Sequence, residues 1–333
     1  MQIVEYLREQ EQDMLLLLRH LAELETPSRD AARQEPIFDL LAHFFSELNY
    51  EVLRFPGHQT GGDMLARPLS RKRHVPLQLL VGHCDTVWPT GTHQEMPIHR
   101  DGDGRMKGPG IYDMKAGLTQ ILYALQALRD LQLNPDLTPL VLINSDEEIG
   151  SRESTRAIRR LARISDRAFV LEPPLGLDGK LKTARKGLGR YTLTVEGRAS
   201  HAGLKPEEGA SAIVELSYQI QALFRMNDPE KGITVNVGMV EGGVSPNVVA
   251  PQSKAVIDVR VLTREDAQKV EQQIFSLQPV NPEVHLKVEG GFGRPPLERT
   301  PRNQQLWETA RQEGLKLGLE LEQGTAGGGS DGN

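Results

Sequence analysis

The chain has 333 residues, about twice the usual single-domain length, so two domains are expected. Its 38% hydrophobic and 25% charged residues fit a globular protein with a sizeable core. Acidic residues number 45 against 39 Lys and Arg, the net charge is -6 and aromatics make up only 5%; this excludes a phosphate-neutralising protein and a base-stacking platform.

Residues 1–13 are polar and acidic, unlike a secretory leader. The only leucine run, Leu15 to Leu18, is far too short to span a bilayer. A cytoplasmic, soluble chain with no nucleic-acid or membrane partner is the expectation. Apolar residues at helical spacing (Ile3, Leu7, Met14, Leu17, Leu18, Leu21) predict one amphipathic helix over 3–24, ending before Thr26-Pro27-Ser28. A second helix is expected near 35–48 and a short strand at 51–55. Three short apolar runs follow, at 77–81, 140–143 and 168–171, with helical patterns at 117–131 and 152–163 between them. Strands apolar on both faces that alternate with helices predict a mostly parallel sheet covered by helices on both sides. The basic run Arg71-Lys72-Arg73 reads as a solvated loop.

Past Lys186 the texture changes to alternating strands. The expected order is strand (190–196), helix (206–226), strands (234–240 and 254–261), helix (265–277) and strand (284–289), a ferredoxin-like α+β sandwich with its helices on one face. Pro295-Pro296 marks a boundary, and a helix over 303–317 is expected to rejoin the first domain. The expected domains are therefore 1–186 with 296–333, and 187–295 inserted between them.

The endings of the apolar runs carry the chemistry. The first meets Gly82-His83-Cys84-Asp85-Thr86, the second Asn144-Ser145-Asp146-Glu147-Glu148 and the third Glu172-Pro173, while Asp113 sits in a loop just before a helix. Ligands of open parallel sheets bind outside the carboxyl ends of the strands, and each of these runs delivers a His or a carboxylate there. Imidazole with carboxylates is a donor set for zinc and its neighbours, and too rich in nitrogen for calcium. Cys84 is the only cysteine, which rules out a Cys-rich zinc module and an internal disulfide. Asp85, two residues past His83, can orient the imidazole through its second nitrogen. Each cluster also has a plainer explanation: a core histidine, acids at a helix start, a loop acid, a helix cap. Their convergence on one sheet edge favours a metal site. Adjacent Glu147 and Glu148 suit a division of labour between ligand and base.

Gly82-His83-Cys84-Asp85-Thr86-Val87, Gly110-Ile111-Tyr112-Asp113-Met114-Lys115-Ala116-Gly117, Asp146-Glu147-Glu148-Ile149-Gly150-Ser151 and Leu171-Glu172-Pro173 resemble the M20 metallopeptidase family, nearest its glutamate-carboxypeptidase branch. The resemblance implies that His83, Asp113 and Glu172 bind one zinc and that Asp113 bridges to a second, bound by Glu148. It also implies Glu147 as general base and Asp85 as the residue orienting His83. Cobalt is an alternative to zinc. Gly197-Arg198-Ala199-Ser200-His201-Ala202-Gly203 resembles the family's lid and dimerisation domain, which implies a homodimer in which His201 reaches the partner's active site. Asn247, Arg260 and Arg294 match residues that hold the substrate carboxylate, a task suited to the arginine fork. The glycine-rich 324–333 resembles the turn before the family's last histidine ligand, whereas the last histidine here is His285. A truncated catalytic domain and a weak second metal site are therefore expected.

The activity this implies is zinc-dependent hydrolysis of an amide beside a free carboxylate, releasing an amino acid such as glutamate from a small peptide. Deacylation of an N-acyl amino acid is the near alternative. A metal-binding dimer without catalysis is the alternative from another class.

Overall fold

The computed structural model describes residues 2–70 and 74–333; the basic run Arg71-Lys72-Arg73 lies outside the described residues. The chain divides into two compact units, Met1–Pro173 with Gly332, and Pro174–Asp331 with Asn333.

The first unit opens with α1 (Gln2–Glu9), α2 (Glu11–Glu23) and α3 (Ala31–Glu47). The single helix expected over 3–24 is thus two helices parted at Gln10. The break falls in Arg8-Glu9-Gln10-Glu11-Gln12, where no apolar side chain holds the turn against a core, and α1 buries no residue at all. The third helix starts earlier than expected because the Asp30 side chain caps it, accepting a hydrogen bond from the Arg33 amide. Strands β1 (Tyr50–Phe55), β2 (Asp63–Pro68) and β3 (Leu77–His83) come next, then α4 (Thr92–Glu95) and the short hairpin β4 (His99–Arg100) and β5 (Met106–Lys107). The unit closes with α5 (Ala116–Asp130), β6 (Thr138–Asn144), α6 (Thr155–Ile164) and β7 (Arg167–Val170).

The sheet order is β1-β2-β6-β3-β7. β3 runs parallel to β6 and β7, while β2 is antiparallel to β6 and to β1. Four strands therefore share one direction and β2 alone opposes them, so the sheet is mostly parallel. β2 is the strand that the sequence reading passed over; it is short and ends in Pro68.

Alternate residues of β3 and β6 feed two different cores. Leu80, Val141 and Ile143 pack with α3 and α5 residues such as Phe38, Leu41, Leu118 and Ile121. Leu77, Leu79, Val81, Leu140 and Leu142 pack on the other side against Ala157, Ile158 and Leu161 of α6. Helices on both faces thus explain why both strands are apolar at successive positions.

The second unit contains β8 (Leu181–Arg185), β9 (Gly187–Glu196), α7 (Ala212–Phe224), β10 (Thr234–Gly242), β11 (Gln252–Val261), α8 (Arg264–Phe275), β12 (His285–Arg294), α9 (Pro301–Lys316) and β13 (Gln323–Ala326). Its main sheet has the order β10-β11-β9-β12, and every pairing in it is antiparallel. Tyr191, Leu193 and Val195 of β9 pack with Leu216 and Leu223 of α7 and with Val270 and Ile274 of α8. The helix expected over 206–226 begins only at Ala212, because Ser211 caps it and Gly209 interrupts the chain before it; Pro206–Glu208 forms a separate turn. β13 pairs in parallel with β8. That pairing draws 174–186 and the segment from 296 into the second unit, so the compact units part at Pro173 rather than at the expected 186.

Candidate metal centre

The candidate centre lies at the carboxyl edge of β3, β6 and β7, within the first unit. His83 is the last residue of β3 and is 1% exposed. Its ring has two faces with different duties. Nδ1 lies 3.3 Å from Asp85 Oδ1 and 3.1 Å from the Asp85 carbonyl oxygen. Nε2 points the other way, 3.2 Å from Asp113 Oδ1 and 3.7 Å from Glu172 Oε1.

β6 ends at Asn144, and the chain then turns through Glu147–Ile149. Asp146 anchors this turn by accepting hydrogen bonds from the amides of Glu153 and Ser154 and from the Ser154 hydroxyl. The amides of Glu147 and Glu148 each donate to the Asp85 carboxylate at 3.2 Å. Asp113 sits just before α5, and Glu172 just after β7. Gly117, in the first turn of α5, allows the close approach of these two segments: a Cβ there would stand 2.0 Å from the Leu171 carbonyl oxygen. Gly110 has φ +68°, a left-handed conformation in which an added Cβ would also press on the Thr86 methyl group at 2.6 Å.

Donor atoms converge in two triplets. His83, Glu147 and Glu172 offer ligand atoms within 4.8 Å of one another, and so do His83, Asp113 and Glu148. The four expected ligands, His83, Asp113, Glu148 and Glu172, and the expected base Glu147 therefore come together, with Glu147 grouped with His83 and Glu172 where Asp113 was expected. Both triplets use His83, and a single Nε2 lone pair serves one ion, so they describe one imidazole-bearing position with further carboxylates beside it.

The electrostatics agree with a cation site. Burial pushes the Glu148 carboxyl up to about 7, and the nearby Asp113, Glu147 and Asp85 add to this against the opposing pull of His83. Burial of His83 opposes its protonation, but its hydrogen bonds to Asp113 and Asp85 outweigh that and raise it well above the usual imidazole value. Crowded carboxylates around one imidazole are the chemistry a divalent cation relieves, and the donor set fits zinc or cobalt.

The remaining candidates lie in the second unit. His201 is exposed, and its Nδ1 accepts the amides of Gly203 at 3.2 Å and Leu204 at 3.1 Å, which leaves the ring proton on Nε2. The Asn247 side chain accepts the Ser245 hydroxyl at 2.6 Å. Arg260 donates to Asp258 and to the Gly327 carbonyl, and Arg294 pairs with Asp331 at 3.4 Å. Both arginines are thus engaged with the glycine-rich turn.

Sequence reasoning missed Ser28, Gln34 and Lys115. Ser28 is 6% exposed and donates to Asp85, and Gln34 is fully buried. Lys115 is 1% exposed, donates to the Leu24 carbonyl, and is lowered to about 8 by burial. Lys115 stands inside a motif that was read for its Asp, and Ser28 inside a tripeptide read only as a helix stop. Gln34 gave no signal.

A family model described as the peptidase dimerisation domain of the M20 family matches residues 183–277. Carboxypeptidase G2 of Pseudomonas sp. (strain RS-16) is 29% identical over 322 residues, covering 94% of this chain and 76% of that protein. The aminopeptidase PepT of Bacillus cereus superposes with a TM-score of 0.76 at 23% identity, covering 96% of this chain and 86% of that one. The YXEP protein of Bacillus subtilis, described as a dinuclear metal-binding peptidase of the M20 family, superposes with a TM-score of 0.66 at 16% identity over 97% of this chain and 85% of that one. No described helix is long and apolar enough to cross a membrane.

Proposed function

We propose that the chain is an M20-type metallopeptidase, a zinc-dependent hydrolase that cleaves an amide bond beside a free carboxylate, with glutamate as the released amino acid. The observation that carries this reading is the convergence of Glu147 with His83 and Glu172, beside Asp113 and Glu148. His83, Asp113, Glu148 and Glu172 would hold the metal, which when bound would supply Lewis acidity toward the carbonyl and toward water.

The rest of the chemistry belongs to side chains of this chain. Glu147 accepts a proton from the attacking water as its oxygen bonds to the carbonyl carbon. It then gives the proton to the nitrogen as the C–N bond breaks, and the second water proton follows to the amine, so the products are a carboxylate and an ammonium group. Asp85 holds the His83 ring and the backbone of the Glu147 turn. His201, with its proton on the outward Nε2, is suited to donate a hydrogen bond to the substrate carbonyl of a partner subunit. Asn247, Arg260 and Arg294 are assigned to the substrate carboxylate, for which Arg260 and Arg294 must exchange part of their present pairing. Residues 187–295 are assigned as the lid and dimerisation domain. There the edge strand β10 carries exposed Met239 and Val240, which suits a homodimer.

The test is hydrolysis by the zinc-loaded protein of dipeptides ending in glutamate, compared with N-acetylated amino acids. Release of glutamate supports the carboxypeptidase reading. Turnover of the N-acetylated amino acids alone replaces it with deacylation, and turnover of neither leaves a metal-binding dimer.

A further inference from the structure

The segment joining α2 to α3 is stitched to the end of β3. The Thr86 amide donates to the Thr26 carbonyl at 2.9 Å, and the Thr26 hydroxyl donates to the Cys84 carbonyl at 2.6 Å. The Ser28 hydroxyl donates to Asp85 Oδ2 at 2.7 Å. Gln34 locks the same segment from beneath. Its amide nitrogen donates to the carbonyls of Pro27 and Ser145, each at 3.0 Å, and its oxygen accepts the Gly61 amide. Ser28 is therefore held in place by a loop tied both to the strand carrying His83 and to the turn carrying Glu147.

The Asp85 carboxylate is fully buried, so its oxygens need hydrogen-bond partners within the protein. Four groups meet it: the Ser28 hydroxyl at 2.7 Å, the Glu147 and Glu148 amides at 3.2 Å each, and His83 Nδ1 at 3.3 Å. Three of these belong to the metal ligands and the general base. Ser28 alone lies outside that set, and its contact is the shortest. The same carboxylate thus transmits one fixed point, the Ser28 hydroxyl, to the ring of His83 and to the backbone of both glutamates.

Resting on the metallopeptidase reading above, we propose that Ser28 is a positioning residue for His83 and Glu147, acting through the Asp85 carboxylate. Without its hydroxyl, Asp85 loses its shortest contact and the only one that comes from outside the groups it positions. The imidazole and the turn then lose their common anchor while every ligand atom is still present.

The test compares Ser28→Ala with Thr26→Val, which removes a neighbouring buried hydroxyl that bonds to the Cys84 backbone and not to Asp85. Ser28→Cys, close to serine in volume but a weak donor, repeats the first change should the alanine variant fold poorly. Zinc affinity by chelator competition, kcat, KM and Tm are read for each. Ser28→Ala and Ser28→Cys are expected to lose about tenfold in zinc affinity and about tenfold in kcat, as partners of metal-ligating histidines do, with KM within about twofold. Thr26→Val is expected to lower Tm while keeping the parent's zinc affinity and kcat. Parent-like zinc affinity in the Ser28 variants, or an equal loss in Thr26→Val, overturns the proposal. A parent that binds zinc but hydrolyses nothing removes the reaction and leaves the zinc affinities to decide the positioning role. A parent that binds no zinc overturns both.

Discussion

Asp85 and His83 stand two residues apart, with Asp85 Oδ1 3.3 Å from Nδ1 of the ring. The same carboxylate accepts the Glu147 and Glu148 amides, so it fixes the angle of the imidazole and the position of the following turn together. Nε2 is thereby committed to the side facing Asp113 and Glu172. Because the backbone of Glu147 is held through its amide, its side chain can be altered without moving the ligands. Glu147→Gln is therefore expected to keep its zinc and to lose at least about a hundredfold in kcat, the usual worth of a general base. Near-normal turnover in a variant of unchanged zinc content would remove Glu147 from that role.

His83 belongs to both donor triplets, and its single Nε2 lone pair can serve one ion. Elemental analysis after zinc reconstitution is expected to give one tight ion per chain, with any second ion weaker and lost first on dialysis. Two ions held with equal affinity would show that carboxylates alone complete the second position.

Metal binding should also stabilise the fold, because the crowded carboxylates are relieved only in the folded chain. Zinc at about a hundred times its dissociation constant is expected to stabilise by about 2.7 kcal/mol, raising Tm by about 5 °C or more. Chelation should reverse the shift. An unchanged Tm on adding zinc would mean that the cluster does not hold it.

Gly117 lets α5 pass beside the Leu171 carbonyl, where an added Cβ would stand 2.0 Å away. Gly117→Ala must push α5 away from the segment that leads to Glu172. A loss of about 1–3 kcal/mol, as for overpacked cores, with weakened zinc binding is expected in denaturant titrations. A variant as stable as the parent would show that the two segments part at little cost.

The assignment of His201 to a partner's active site is tested by mixing subunits. His201→Ala and Glu147→Gln proteins, each nearly inactive, are expected to regain up to about a quarter of the parent activity when dimers are re-formed at equal ratio, since a mixed dimer keeps one complete site. Met239→Glu and Val240→Lys on the exposed edge of β10 should shift sedimentation toward monomer. Mixed dimers that recover nothing would place His201 outside the partner's site.

The donor cluster was legible in the sequence because strand ends announce themselves. Apolar runs at 77–81, 140–143 and 168–171 stop at His83, Glu147-Glu148 and Glu172, and a parallel sheet must bring such endings to one edge. Local signals failed where a distant partner decided the outcome. The first helix broke at Gln10 because no core contact spans the break. β2 became a strand because Met64 and Ala66 found a buried place beside β6. Four short donor motifs and the order of the elements therefore determined the sheet edge and the donor types, whereas the boundary between the units at Pro173 was set by pairing that the sequence did not announce. The tertiary structure alone decided which nitrogen of His83 faces the donors, how Arg260 and Arg294 engage the glycine-rich turn, and that Ser28 and Gln34 brace the site. Hydrogen bonds between residues as far apart as Ser28 and Asp85, or Gln34 and Ser145, leave no periodicity in the chain, because either partner alone is an ordinary polar residue.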